Sequence, residues 1–330
     1  MVRIGLLGCG RIGQVHARAI KNNPDATVVA VSDAFADAAN ALADQTEAEV
    51  RDTDEIIASD DIDAVVIGTP TTTHYDIIHA AARAGKAIFC EKPVDLSSER
   101  IKDCIKVVES TGVPFFTAFN RRFDPNFAEL QGRITRGDIG QVELVTILSR
   151  DPSPPPIDYI KTSGGLFRDM MIHDLDMARF LLGAEPVSVY AVGAALVDPA
   201  IGKAGDVDTA AVTLTTAEGA ICQISCSRRA TYGYDQRIEV HGEKGLLRAD
   251  NQRETTVELA TEDGFTSAPA QHFFLQRYER AYAAEMASFV AALKAGEAPM
   301  PGIHDGLRAQ VLADAAAKSL ETGAAVRIDG

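Results

Sequence analysis

The sequence predicts an α/β protein: a doubly wound N-terminal domain over residues 1–120, then an α+β domain over residues 121–330 built on a large, open-faced, mostly antiparallel sheet. Three observations carry this. Short β-branched apolar runs alternate with helix-length segments up to about residue 119, as parallel strands buried on both faces require. Beyond residue 120 the runs give way to segments in which apolar and polar residues alternate singly, the pattern of strands with one covered face. A length of 330 residues also exceeds what one hydrophobic core usually serves.

In order along the chain, strands are expected over 2–7, 27–32, 64–68, 87–90 and 114–118. Helices fit between them, over 12–22, 36–44, 74–84 and 98–110, with Gly85 and Gly112 supplying left-handed ends to the last two. The second half opens with a helix over 126–135 and a strand over 142–149, followed by the proline-rich loop 152–156, which cannot continue a sheet ladder. A helix over 173–182 precedes strands over 187–197, 210–216, 220–227, 236–241 and 256–260. Cys222, Ile224 and Cys226 set against Gln223 and Ser225 show the alternation clearly. Two helices, over 277–295 and 304–321, close the chain.

Composition excludes several classes of function. Apolar residues at 46 % and charged residues at 24 % describe an ordinary globular chain. A net charge of −15 repels phosphate backbones, and the pairs Arg121-Arg122 and Arg228-Arg229 are too short for a basic patch, so no nucleic-acid partner is expected; those pairs fit a substrate site or a solvated surface better. The five cysteines form neither a Cys-x-x-Cys pair nor a zinc spacing, and are read as buried thiols in a reducing compartment. With no secretory leader pattern and no apolar run near the ~18 residues that span a bilayer, a cytoplasmic location away from membranes is expected.

Gly8-Cys9-Gly10-Arg11-Ile12-Gly13 follows a strand and opens a helix, the context in which this glycine spacing binds a dinucleotide. The first glycine permits the tight turn, the second lets backbone approach a pyrophosphate, and the third allows close helix packing; the helix N-terminus then faces the phosphates. Asp33 ends the next strand about 20 residues on, where an acid accepts hydrogen bonds from the ribose hydroxyls, and Ala34 and Phe35 after it offer no cation for a 2′-phosphate. A Rossmann domain that takes NAD rather than NADP follows. The loop after the third of these strands, Thr69-Pro70-Thr71-Thr72-Thr73-His74, lies where open α/β sheets bind ligands, although its threonines serve equally well as a helix cap and His74 as a cap or a cofactor neighbour. The cofactor-facing set is thus Gly8, Gly10, Arg11, Ile12, Gly13, Asp33, Thr69, Pro70, Thr71, His74, Glu91, Lys92 and Asn120.

Glu91-Lys92-Pro93 ends a strand of this domain, and Asp169 and His173, four apart, share one face if they share a helix. A cation and an imidazole suit work on one substrate hydroxyl. The same acid and imidazole, with Asp174 and Asp176, also fit a buried capping cluster. A metal is not expected, since no third ligand has a recognisable spacing.

These motifs together resemble the Gfo/Idh/MocA family of oxidoreductases over essentially the whole chain. Within it, Phe119-Asn120-Arg121-Arg122-Phe123-Asp124-Pro125-Asn126-Phe127, Arg150-Asp151-Pro152 and Tyr232-Gly233-Tyr234-Asp235 are most similar to members that oxidise inositols at C2. The resemblance implies NAD-dependent oxidation of the axial C2 hydroxyl of myo-inositol, with Lys92 bonding the reacting hydroxyl, His173 as general base and Asp169 orienting or relaying. It implies further substrate contacts from Arg121, Asp151 and Tyr234, and a homotetramer assembled through the open sheet face. Two alternatives stand beside it: oxidation of another polyol (scyllo-inositol, chiro-inositol or glucose), and a non-enzymatic dinucleotide-binding regulator of the same fold.

Overall fold

The computed structural model describes residues 1–328; Asp329 and Gly330, the end of the expected second domain, lie outside the described residues. The chain divides into two compact units, Met1–Phe123 with Arg280–Gln310, and Asp124–Glu279 with Val311–Gly330.

The first unit runs β1 (Val2–Leu7), α1 (Arg11–Lys21), β2 (Ala26–Ser32), α2 (Ala36–Thr46), β3 (Glu49–Val50), α3 (Thr53–Ala58), β4 (Ala64–Ile67), α4 (His74–Arg83), β5 (Ala87–Glu91), α5 (Ser98–Thr111) and β6 (Phe115–Ala118). Among the described residues these strands form one parallel sheet in the order β3-β2-β1-β4-β5-β6. Alternate residues feed two cores: Ile4, Leu6, Val66 and Phe89 face one layer, and Leu7, Val65, Ile67 and Ile88 the other. That is why the strands read as continuous apolar runs. Strand order reverses between β1 and β4, so the loops after these strands border the crevice in which doubly wound sheets bind ligands.

The second unit adds α6 (Pro125–Thr135), β7 (Val142–Arg150), α7 (Ile157–Ser163), α8 (Gly165–Asp169), α9 (Ile172–Leu182), β8 (Pro186–Ala194), α10 (Pro199–Lys203), β9 (Thr209–Thr216), β10 (Ile221–Ser227), β11 (Asp235–Gly242), β12 (Gly245–Ala249), β13 (Glu258–Thr261), β14 (Gly264–Ser267) and α11 (Phe274–Arg277). Its sheet runs β12-β11-β7-β10-β9-β8 and ends in a short strand, residues 326–327. Only β7 and β10 pair in parallel among the described strands of this sheet. Register puts Val212, Cys222, Ile224, Val145, Ile147 and Val240 on the buried face. It puts Tyr190, Val192, Ile221 and Leu246 on an exposed one. Asp124 caps α6 through the N–H groups of Asn126 and Phe127 and is ion-paired with the buried Arg277.

The last helices are α12 (Glu279–Ala295) and α13 (Ile303–Thr322), before β15 (Val326–Arg327). Here the expected domain division at residue 120 needs correction, because residues 280–310 return to the first unit. Met286, Phe289 and Val290 of α12 join the Phe89 core, with Phe289 edge-on to Phe89 at 5.5 Å, and Ile303 packs in the opposite layer. Two further differences concern boundaries. The helix expected over 277–295 breaks at Tyr278, and the strand expected over 256–260 falls in the separate hairpin β13–β14, whose residues are almost all exposed. An alternating pattern does not say which sheet a strand joins.

Candidate active site

In the first unit the glycine turn has the shape a pyrophosphate needs. Gly8 has a φ of +97°, and a Cβ there would lie 2.6 Å from the backbone of Gly68. A Cβ on Gly13 would lie 1.9 Å from the Gly8 carbonyl oxygen, so α1 packs directly on the turn. Around Gly10 no atom comes within 4 Å of a Cβ position. Gly10 also caps α1 without a side-chain bond, and no acid stands in the first turn. Space beside exposed backbone at a helix N-terminus fits a bound phosphate. The residues therefore fit a dinucleotide.

Asp33, just past β2, is fixed by main chain: Oδ2 accepts the Cys9 N–H at 2.6 Å and Oδ1 the Phe35 N–H at 2.9 Å. Each oxygen keeps a lone pair for a ribose hydroxyl. Phe35 beside it is exposed. Burial, with the Asp33 carboxylate adding to it, pushes the Cys9 thiol up to about 11, so it stays neutral and inert. Thr69, Pro70 and Thr71 lie on the loop beyond β4, at the same carboxyl end of the parallel strands. His74 is buried with Nδ1 3.0 Å from the Pro93 carbonyl and Nε2 2.9 Å from that of Thr69, and burial lowers its pKa. A neutral ring carries a single N–H, so it donates to one of these two carbonyls and only packs against the other.

Lys92 directly follows β5, with a cis bond to Pro93. Glu91 before it is buried, and one of its oxygens accepts the Lys92 N–H at 3.2 Å. Asn120 and Arg121, both buried, open a 3-10 turn beyond β6, in which Arg122 Nη2 reaches Asp305 Oδ1 at 2.8 Å.

The second unit carries Asp169, His173, Asp151 and Tyr234. Asp169 ends α8 and His173 is the second residue of α9, so the two do not share a helix, and the helix expected over 173–182 begins one residue earlier, at Ile172. The reason lies in the turn at residues 170–171: both of its N–H groups bond the Leu166 carbonyl, which closes α8 before α9 begins. Asp169 Oδ1 accepts the Tyr159 hydroxyl at 2.9 Å, and Oδ2 lies 3.4 Å from Nη1 and Nη2 of Arg228. His173 is partly buried; Asp174 and Asp176 are buried. The Asp151 N–H bonds the Ser227 carbonyl, one residue before Arg228. Tyr234 is buried edge-on against Tyr278. Among the described residues no group of three or more His, Cys, Asp and Glu is arranged to hold a metal ion.

Sequence reasoning missed Tyr159, and left Arg228 open between substrate site and surface. A signal existed for the second: Arg228 has the parity of Cys222, Ile224 and Cys226 and continues their inward row. For Tyr159 there was none, since a tyrosine after a proline-rich loop has no periodicity to place it.

Comparison with known proteins covers the whole chain. Residues 2–119 match the oxidoreductase family model with an NAD-binding Rossmann fold, and residues 127–248 match the GFO/IDH/MocA C-terminal domain. The inositol 2-dehydrogenase of Rhizobium meliloti is 60 % identical over 97 % of both chains, and the myo-inositol 2-dehydrogenase of Thermotoga maritima 46 % identical over 99 % of both. The solved structure of scyllo-inositol dehydrogenase from Lactobacillus casei, with bound NAD(H) and scyllo-inositol, superposes with a TM-score of 0.92 over 99 % of both chains at 30 % identity.

Proposed function

The chain belongs to the Gfo/Idh/MocA family of NAD-binding oxidoreductases, and from that membership we propose that it is an inositol dehydrogenase that oxidises the axial C2 hydroxyl of myo-inositol to 2-keto-myo-inositol. The observation that carries this reading is the 60 % identity to an inositol 2-dehydrogenase over 97 % of both chains. NAD is the cofactor. Gly8, Gly10, Gly13 and Asp33 hold it, with Arg11, Ile12, Thr69, Pro70, Thr71, His74, Glu91, Lys92 and Asn120 around them; when bound, it accepts the hydride from the carbinol carbon.

The chain's own residues manage the proton and the charge. Lys92 donates a hydrogen bond to the reacting oxygen and stabilises the negative charge that develops as the C–H bond breaks. The His173 imidazole takes the hydroxyl proton as general base. Asp169 accepts hydrogen bonds and fixes the orientation of base or substrate. Arg121, Asp151 and Tyr234 recognise the remaining hydroxyls of the ring, since a polyol presents donors and acceptors that only charged and polar groups discriminate.

A homotetramer assembled through the exposed sheet face, where Tyr190, Val192, Ile221 and Leu246 stand in the open, is part of the same reading, and light scattering tests it. So is a cytoplasmic location, consistent with five buried cysteines that form no disulfide among the described residues. Among the described residues no helix is long and apolar enough to cross a membrane.

The deciding assay follows NADH absorbance with NAD or NADP against myo-inositol, scyllo-inositol, chiro-inositol and glucose. Turnover of myo-inositol with NAD supports the proposal, and preference for another polyol keeps the chemistry but moves the substrate. Tight NAD binding without turnover of any polyol would favour a regulatory role instead.

A further inference from the structure

Arg228 is 1 % exposed, which is costly for a guanidinium unless its charge is paired within the protein. It follows β10 on the covered face of the second unit's sheet. Its Nη1 and Nη2 both stand 3.4 Å from Oδ2 of Asp169, and Nη2 stands 3.9 Å from Oδ2 of Asp206. Asp206 is itself anchored, because its Oδ1 accepts the Leu166 N–H at 3.0 Å, at the start of the helix that ends in Asp169. The other oxygen of the Asp169 carboxylate, Oδ1, receives the hydroxyl of Tyr159, a residue that is itself 49 % exposed. One oxygen of Asp169 thus faces a buried cation and the other faces a hydroxyl at the surface.

We propose that Arg228 is a positioning residue for the oxidation: from the buried side its guanidinium holds one oxygen of the Asp169 carboxylate while the Tyr159 hydroxyl holds the other, so that the carboxylate meets a substrate hydroxyl in one orientation. The proposal rests on Asp169 working in the substrate site, as argued above. A guanidinium suits this because both of its terminal nitrogens face the one Asp169 oxygen from a single plane, whereas an ammonium on a flexible stem supplies charge without that geometry. Asp206 adds a second negative charge within ion-pair reach of the same guanidinium, at 3.9 Å and without a hydrogen bond to it.

The test compares Arg228→Lys, Arg228→Met and the double variant Asp206→Asn/Arg228→Met with the unaltered full-length protein. For each, kcat, KM and the primary deuterium isotope effect are measured with substrate deuterated at the reacting carbon. Misplacement by about 1 Å costs on the order of a hundredfold in rate, so Arg228→Lys is expected to lose roughly tenfold to a hundredfold in kcat. Its KM should change much less, and its isotope effect should rise as the chemical step becomes limiting. A purely structural loss lowers the active fraction and leaves the isotope effect unchanged. Unaltered kinetics in Arg228→Lys, or full recovery in Asp206→Asn/Arg228→Met, would overturn the proposal by reducing Arg228 to the counter-ion of Asp206. If Arg228→Met does not fold, Arg228→Lys decides. Should the unaltered protein turn over no polyol, the functional reading fails separately. The crystal structure of Arg228→Lys then settles the positioning, since an Asp169 carboxylate still bonded to Tyr159 refutes it and a displaced one supports it.

Discussion

Nε2 of His16 and Oε1 of Glu91 meet at 2.7 Å although 75 residues separate them in the chain. His16 is fully buried on α1, edge-on to Phe89 at 4.9 Å, and the other oxygen of Glu91 accepts the Lys92 N–H. One carboxyl therefore joins the helix behind the glycine turn to the main chain that carries Lys92. Glu91→Ala leaves the buried Nε2 without its partner, which costs about 1–3 kcal/mol. Urea unfolding should show that loss, and kcat should fall with it. Unfolding at the same urea concentration as the unaltered protein would count against the brace.

Glu285 on α12 gives a pH dependence. It is 0 % exposed, neither carboxyl oxygen has a hydrogen-bond partner among the described residues, and burial, with the nearby Glu91 charge adding to it, pushes its pKa well above the usual carboxyl range. The folded protein keeps a proton that the unfolded chain releases above pH 4.5. Stability from this group is therefore fully present below that value and is lost as pH rises, by at most about 1.4 kcal/mol per pH unit for one proton. Glu285→Gln, which imitates the protonated acid, should melt higher than the unaltered protein, by a margin that widens between about pH 5 and about pH 8. A flat margin across that interval would mean that Glu285 does not hold its proton.

Asp33 is expected to set both affinity and cofactor choice. Hydrogen bonds to a charged group contribute about 1.5–3 kcal/mol each, so Asp33→Ala should weaken NAD binding by roughly tenfold to a hundredfold. The loss for NADP should be smaller, because the acid also repels a 2′-phosphate. Titration calorimetry with both dinucleotides checks this, and equal losses for the two would remove Asp33 from the choice between them.

Much of this was legible in the sequence, for physical reasons. Strands buried on both faces must be apolar throughout, so β1, β2, β4, β5 and β6 fall within a residue or two of their expected bounds. The glycine turn was readable because close approach admits no other residue at Gly8 and Gly13. What escaped was tertiary. The apolar residues of α12 fit any core, and nothing in them says that they cover the first sheet rather than the second. Glu285 in that helix looks like a solvated surface acid until burial is known. Asp169 and His173 have helical spacing, yet two N–H groups drawn to the Leu166 carbonyl put them on separate helices. Arg228 continues an inward row that ordinarily holds apolar residues, so its charge argued against the position it occupies.

The three glycines of the turn separate folding from cofactor binding. Gly13→Ala drives a methyl into the Gly8 carbonyl oxygen, a backbone atom that cannot swing aside, so the protein should lose stability even without cofactor, by about 1–3 kcal/mol. Gly10→Ala meets no protein atom within 4 Å and has a φ of −68°, which any residue adopts. Its stability without cofactor should stay within about 0.5 kcal/mol of the original. Its added methyl nevertheless fills the space by which backbone approaches a pyrophosphate. Thermal unfolding with and without NAD reads both effects, because a ligand that binds only the folded state raises the melting temperature by an amount that grows with the logarithm of its affinity. Gly10→Ala should melt like the unaltered protein alone and gain little from NAD, whereas Gly13→Ala should melt lower in both conditions. A full NAD-induced shift in Gly10→Ala would place the pyrophosphate elsewhere than over this turn.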